Sequence, residues 1–197
     1  MHKTITSAFG AVLTSLFLSM GAAGPAHAQA TTYNIDASHT FVTWEAMHFG
    51  TSTSRGRFDK KEGSIQIDRT AKTGRIDVTI DTGSISTGLA FFDKSLRSKN
   101  YFDTDNHPTA RFVADRINFD GNKVQSATGQ LTLLGKTLPV TVTAVRFNCY
   151  DNPFVKREVC GGDFEATVQR SLWGMTSDIP AASDNVKLLI QVEAVRQ

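Results

Sequence analysis

The chain has 197 residues, of which 20% are charged and 40% are hydrophobic, and its formal net charge at pH 7 is only +2. A charge this close to balance gives no indication of nucleic acid or of an anionic membrane surface as the main partner. The length suits one domain with a sizeable hydrophobic core.

The first 28 residues have the pattern of a secretory signal peptide. Lys3 provides a short positive region, residues 8–20 form an apolar run, and Ala26-His27-Ala28 is a cleavage site of the A-x-A type. The run is too short and too rich in Ser and Thr for a spanning helix. We therefore expect cleavage after Ala28, one domain over residues 29–197, and a periplasmic protein without stable membrane insertion.

Both cysteines, Cys149 and Cys160, belong to the exported part of the chain. An even number of cysteines in an oxidising compartment predicts a disulfide, here one that closes a hairpin loop. A thiolate metal site is the alternative, but it needs further ligands, and no histidine or third cysteine lies near this pair in the sequence. We expect a disulfide and no metal.

Most of the chain alternates apolar and polar residues in short runs, which is the pattern of half-buried strands. Short turns between the runs make neighbouring strands antiparallel, which favours an up-and-down barrel or a sandwich. About eight strands close around one small ligand, but alternation alone does not separate a hollow barrel from a filled one. Residues 50–55 form a predicted polar loop, and strands are predicted over residues 31–35, 40–49, 56–67, 75–81, 110–119, 124–134, 138–147, 163–169 and 186–195.

One segment, residues 84–112, departs from this period of two. Leu89, Phe92 and Leu96 recur at the spacing of one helix face. This spacing predicts one short amphipathic helix over residues 88–99, which interrupts the chain of strands.

The ends of this helix carry recognisable local signals. Thr87 precedes the helical run and is expected to cap its N-terminus through the side chain. Asp93 and Arg97 stand four residues apart in the order that favours an ion pair. Both features predict a helix stabilised by its own side chains.

No pattern in the sequence supports catalysis. The chain has no nucleophile elbow, P-loop or dinucleotide-binding glycine motif. Asp36, Ser38 and His39 are close in sequence, but neighbours in one turn rarely reach triad geometry, and an Asx turn explains them more simply. His39, His48 and His107 lack helical metal-ligand spacing. We expect no enzyme activity; an enzyme that uses His39 or His48 is the alternative.

Aromatic residues are numerous near turns and near the predicted helix. The chain has thirteen phenylalanines and two tryptophans. An ordinary core explains any one of them, but together they indicate an apolar interior capped by the helix and by the turn that contains Trp173. Such a cavity binds its ligand mainly through apolar area. A filled barrel with a structural or stress-protective role is the competing hypothesis.

The order of several motifs over the mature chain resembles the YceI-like family, whose members are lipocalin-like barrels that bind polyisoprenoid and other long-chain lipids. The motifs that carry the resemblance are Tyr33-x-x-Asp36-x-x-His39, Gly56-x-Phe58, Ser84-Ile85-Ser86-Thr87-Gly88, Leu96-Arg97-Ser98, Tyr101-Phe102-Asp103, Leu138-Pro139-Val140 and Arg170-Ser171-x-Trp173-Gly174-Met175.

The resemblance implies an all-β fold, an eight-stranded antiparallel lipocalin-like barrel with a short helix that caps one end. It implies no catalysis and no cofactor apart from a bound lipid. The ligand would be a polyisoprenoid, such as an isoprenoid quinone or a polyprenyl phosphate, or a fatty acid or amide. Transport, storage and stress protection stay open as roles, and a monomer and a homodimer stay open as states.

The residues expected to face such a lipid come from the strand alternation and the matched motifs, with two helix residues that close one end. They are Val42, Trp44, Phe58, Val78, Ile80, Phe92, Leu96, Phe112, Leu131, Val142, Phe164 and Ile190.

Overall fold

The computed structural model describes residues 30–197. The predicted signal peptide and its cleavage site lie outside the described residues, so both stay predictions.

The described residues form eleven strands, one α-helix and two short 3-10 helices, of which no helix is long and apolar enough to cross a membrane. The helix α1 spans Ala90–Arg97, and the 3-10 helices span Thr82–Ser84 and Arg170–Trp173. The strands are β1 (Thr31–Ile35), β2 (Phe41–His48), β3 (Ser52–Phe58), β4 (Lys61–Asp68), β5 (Thr73–Asp81), β6 (Ile85–Ser86), β7 (Thr109–Asp120), β8 (Lys123–Leu133), β9 (Lys136–Asn152), β10 (Arg157–Gln169) and β11 (Ala182–Arg196).

Eight of these strands close into an antiparallel barrel, which confirms the predicted fold class. The order around the ring is β1-β4-β5-β7-β8-β9-β10-β11, and β11 pairs back with β1. Every neighbouring pair in the ring is antiparallel. Closure satisfies the backbone groups that the two edges of an open sheet would expose.

The strands outside the ring extend the barrel wall at one end. β11 is long enough to pair with two strands along one edge: Ala194 lies opposite Ile35 of β1, and Leu188 lies opposite Trp44 of β2. β3 pairs with β2, and the short β6 pairs with β3. The helix lies at this end, where Leu96 packs in one cluster with the inward residues of β2 and β3.

The helix is shorter than predicted, and the predicted Thr87 cap is wrong. Leu89 occupies the N-cap position and makes no side-chain cap bond. The backbone N–H and the hydroxyl of Thr87 instead donate to Oδ1 of Asp93, both at 2.7 Å. The segment before the helix is therefore held by a carboxylate of the first turn.

The predicted ion pair between Asp93 and Arg97 is also wrong. Arg97 donates from Nε to the carbonyl of Gly83 at 2.8 Å and from a terminal nitrogen to the carbonyl of Ile85 at 2.7 Å. The guanidinium of Arg97 is bonded to these carbonyls and the carboxylate of Asp93 is bonded to Thr87, so the two side chains do not pair. Arg97 therefore ties α1 to the barrel wall rather than to its own helix.

The predicted loop at residues 50–55 is largely strand. Phe49 and Gly50 both have positive φ, 50° and 66°, and are the central residues of a β-turn in which the N–H of Thr51 donates to the carbonyl of His48 at 3.0 Å. The Ser/Thr-rich run from Ser52 therefore continues directly as β3. The run predicted as one bent strand over residues 56–67 divides into β3 and β4, because the chain turns at Asp59 and Lys60.

Cys149 and Cys160 form the predicted disulfide, with their Cα atoms 4.1 Å apart. The two cysteines lie directly opposite each other in β9 and β10, and the hairpin turn lies beyond them. The disulfide therefore staples the β9–β10 hairpin, as predicted, and it does so between two directly paired strand residues. β9 and β10 extend beyond the strands predicted from alternation, so their pairing continues past the two cysteines.

Replacing both cysteines, as Cys149→Ser with Cys160→Ser, should lower the free energy of unfolding by up to about 3 kcal/mol, because the bond restricts the unfolded chain around a short segment. The fold should persist, since the ring is closed by other pairings. Chemical denaturation measures the change, and alkylation of the native wild-type protein should find no free thiol. Loss of the folded state in the double variant would contradict this expectation.

The turn between β1 and β2 is held by the side chain of Asp36. The backbone N–H and the hydroxyl of Ser38 donate to Oδ1 at 2.9 and 2.5 Å, and Nδ1 of His39 lies 2.7 Å from Oδ2. These are the contacts of an Asx turn, as predicted. Hydrogen bonds from Ser38, and then from His39, lower the pKa of Asp36 to about 2.

The contribution of Asp36 to stability should depend on pH. Its folded pKa lies below the ordinary value of 3.8, so its stabilisation is present above that value and is lost as the pH falls toward 2. The difference in melting temperature between the wild type and Asp36→Asn should therefore shrink between pH 4 and pH 2. A difference that is constant across this range would contradict the assignment.

Candidate ligand cavity

The barrel is hollow at the end that carries α1. A cavity of about 690 Å³ is bounded by the helix, by β2 and β3, and by the adjoining ends of β5, β7, β8, β10 and β11. Its size falls within the range of roughly 300–1,000 Å³ that is typical of small-molecule sites. At the opposite end of the barrel, a space of only about 40 Å³ remains.

Three large aromatic side chains at this end are held against the wall. The indole of Trp44 lies over Gly56, where an added Cβ would stand 2.6 Å from the ring. Phe58 packs edge to face against Phe102, with the ring centres 5.4 Å apart. Nε1 of Trp173 donates to the carbonyl of Leu131 at 3.2 Å. Because the rings are fixed at the perimeter, they leave the centre open.

Seven of the twelve residues predicted to face a ligand line this cavity. They come from the inward faces of four strands and from the buried side of the helix, and they are Val42, Trp44, Phe58, Ile80, Phe92, Leu96 and Leu131.

The other five predicted residues lie outside this wall. Val142 belongs to the larger packed core, and Phe112 and Phe164 pack against it. Ile190 packs against both that core and the cluster that contains Val42. Val78 lies on β5 outside the walls of both cavities. Alternation identifies the inward face of a strand but not the depth of a residue along the barrel axis. Their position gives no support to a role in ligand contact.

The cavity wall contains a buried arginine that is not among the twelve residues predicted to face a ligand. Arg170 is 6% exposed, and its three guanidinium nitrogens donate to the carbonyls of Ser183, Met175 and Ala182, each at 3.0 Å. Within residues 30–197, no carboxylate forms an ion pair with it. Arg170 therefore places a positive charge, held by three backbone carbonyls, in a mainly apolar wall.

A second polar pair stands at the mouth of the cavity. The hydroxyl of Tyr101 donates to Oδ2 of Asp178. Burial, and then this hydrogen bond, raise the pKa of Tyr101 to about 12. Both residues lie in turns, where hydrophobic periodicity gives no signal. For Arg170 the available signal was the motif Arg170-Ser171-x-Trp173.

The two histidines of the enzyme hypothesis lie in different places. His48 lines the cavity mouth, where its ring packs edge to face against Phe49. In the described part of the chain, no side chain forms a hydrogen bond with the His48 ring. His39 lies in the β1–β2 turn with Asp36 and Ser38, outside the cavity wall. The hydroxyl of Ser38 donates to the carboxylate, which is not the arrangement of a nucleophile activated by a histidine.

The described residues bring one group of metal-ligand type together, Cys149, Glu158 and Cys160. Their donor atoms lie within 4.8 Å of one another. The two sulfur atoms are joined in the disulfide and so do not act as thiolate ligands.

The geometry of this barrel recurs in known proteins. The chain matches the model of the YceI-like domain over residues 33–194. It is 35% identical over 173 residues to a UPF0312 protein of Pseudomonas aeruginosa (strain LESB58), which covers 86% of this chain and 90% of that protein.

Among solved structures, a YCEI protein of Campylobacter jejuni is similar with a TM-score of 0.64 at 25% identity, covering 77% of this chain and 90% of that one. A polyisoprenoid binding domain from Saccharophagus degradans is similar with a TM-score of 0.57 at 14% identity, covering 84% and 98%, and this likeness concerns the fold alone. Since the family match runs from the first barrel strand to the last, the chain belongs to the YceI-like domain family.

Proposed function

We propose that this protein is a periplasmic binding protein that holds one long-chain apolar lipid in the hollow end of its barrel. The observation that carries the proposal is the 690 Å³ cavity with an almost entirely apolar lining. A filled barrel with a purely structural role would not keep such a space, because protein interiors otherwise pack with few voids larger than a water molecule.

The chemistry of the lining favours recognition of a hydrocarbon tail. Each methylene group that leaves water for this wall contributes about 0.8 kcal/mol, and the cost of ordering the ligand offsets a large part of the sum. Affinity therefore rises with tail length and depends weakly on branching. Polyisoprenoids and fatty-acyl chains both fit this description, and the Saccharophagus degradans domain of the same fold is described as polyisoprenoid binding.

The polar groups of the wall define where the head of the lipid would lie. Arg170 supplies a buried positive charge, whereas the hydroxyl of Tyr101 near the mouth already donates to Asp178. A guanidinium pairs well with carbonyl, carboxylate or phosphate oxygens. We therefore place the tail among the aromatic rings and an oxygen-bearing head group near Arg170. This fits a quinone, a polyprenyl phosphate or a fatty acid.

Two features support export to the periplasm. A signal peptide is predicted over the first 28 residues. The disulfide between Cys149 and Cys160 is of a kind that persists in oxidising compartments. The binding role needs no catalytic group, and we infer that the protein is not an enzyme.

Organic extraction of the purified protein, followed by mass spectrometry, should release about one long-chain lipid per chain, because the cavity is a single site. The measurement also identifies the head group that Arg170 would contact. A protein purified from its native compartment that yields no such lipid would overturn the binding role.

A matched pair of substitutions should separate the hollow end from the filled end. Ala110 lines the cavity and Ala127 lies in the packed core, and both are buried strand alanines. Ala110→Phe should leave the melting temperature nearly unchanged and reduce bound lipid, since the ring fills space that the tail occupies. Ala127→Phe should overpack the core and cost roughly 1–3 kcal/mol.

Thermal unfolding and lipid content, measured on both variants, give the comparison. Equal destabilisation by the two substitutions would mean that the cavity end is as tightly packed as the other.

A further inference from the structure

Large apolar side chains are exposed around the mouth of the cavity. We call this set the rim, and it consists of Met47, Phe49, Leu89, Phe91 and Ile179. Phe49 is 70% exposed and Phe91 is 75% exposed. Water-exposed phenylalanines grouped at an opening are the kind of surface that marks an interaction site.

The rim is assembled from three separate segments of the chain. Met47 and Phe49 belong to the β2–β3 hairpin, Leu89 and Phe91 to the start of α1, and Ile179 to the turn before β11. The backbone N–H of Phe49 donates to the carbonyl of Ala181 at 2.7 Å, which holds the hairpin against the third segment. The fold therefore brings the three segments together at the mouth.

Phe49 and Phe91 also line the cavity itself. The exposed apolar surface is therefore continuous with the interior wall. A hydrocarbon chain that crosses the mouth would pass from one apolar surface to the other, with the rim as the entry path.

Turn chemistry does not explain Phe49. Its φ of 50° places it in the left-handed region, at the first central position of the β-turn His48–Thr51, where Asn, Asp or Gly is preferred. A bulky residue at positive φ carries a conformational cost. The turn itself therefore gives no reason for a phenylalanine at this exposed position.

We propose that the rim docks on the surface of a lipid bilayer, with Phe49 and Phe91 among the lipid head groups, so that a lipid passes between the bilayer and the cavity. This inference rests on the proposed function. The contact is peripheral, because an apolar patch on a folded domain lies in the interface without spanning the membrane. We expect burial of the apolar rim, rather than charge, to drive the contact with the bilayer, since the chain carries a net charge of only +2.

A second copy of the chain fits the rim less well than a bilayer does. The exposed parts of Phe49 and Phe91 come to roughly 300 Å², taking about 200 Å² for a whole phenylalanine. A stable complex buries about 800 Å² on each partner. A second copy on the rim would also close the only route that the apolar surface offers to a ligand among the described residues.

Flotation with phosphatidylcholine vesicles tests the docking. The wild-type protein should bind, and the binding should survive about 1 M salt, where the Debye length is only about 3 Å. The variant Phe49→Ser with Phe91→Ser should bind at least about tenfold more weakly, since burial of even one phenylalanine is worth that factor.

Phe154→Ser is the matched control. Phe154 is 91% exposed in the β9–β10 turn, at the end of the barrel where β10 pairs with the last residues of β11, far from the mouth. Its replacement should leave vesicle binding unchanged. An equal loss of vesicle binding in Phe154→Ser would show nonspecific hydrophobic adsorption and overturn the proposal. A wild-type protein that does not float with the vesicles would also overturn it.

Two further measurements separate the remaining explanations. A dimer in sedimentation that dissociates in the rim variant would assign the rim to a second copy and overturn bilayer docking. Lipid content of the same samples reports on the carrier function independently: a wild-type protein that floats but contains no lipid supports docking and overturns the carrier role. Thermal melting of each variant confirms that it is folded.

Discussion

The pairing along the outer edge of β11 is the constraint on which the rest of the structure depends. One end of this strand pairs with β1 and closes the eight-stranded ring, and the other end pairs with β2. If β11 ended early, β2 and β3 would pair only with each other and with β6, and they would be detached from the barrel. The same strand therefore closes the barrel at one end and holds the cavity wall at the other.

The two ends differ because of how side-chain size is distributed across facing strands. At the packed end, small residues such as Ala114, Ala127 and Ala166 leave room for Ile117 and Phe164 to interdigitate. At the other end, Trp44 is accommodated by Gly56 and lies flat against its own wall. A large ring placed over a glycine stays at the perimeter, whereas alternating large and small residues fill the centre.

Arg170 links the fold to the site. Its three hydrogen bonds to backbone carbonyls hold the turn after β10 against the start of β11, and they also fix the guanidinium in the cavity wall. Burial of an arginine without a carboxylate is costly, and here the carbonyls offset part of that cost. In the proposed binding mode, an oxygen-bearing head group would pair with this charge.

The amino-acid sequence by itself determined the strand class, the antiparallel order, the disulfide and the existence of one short helix. The strands, turns and helix depend on patterns that extend over a few neighbouring residues. The disulfide follows from an even number of cysteines in a chain predicted to be exported. Helix and turn details were less well predicted. Asp93 and Arg97 bond to Thr87 and Gly83, which lie outside the helix, and residues 52–55 belong to a strand because the turn falls at Phe49 and Gly50.

The position of the cavity was decided only by the tertiary structure. Alternation together with the matched motifs correctly assigned Val42 and Trp44 to the inward face, but it assigned Val142 and Phe164 to the interior as well without distinguishing their depth along the barrel. Depth along the axis follows from the stagger of strands that are far apart in sequence. Arg170 reached the wall through the same long-range pairing, because its carbonyl partners belong to the turn after it and to the start of β11, and no pattern within a single strand encodes that convergence.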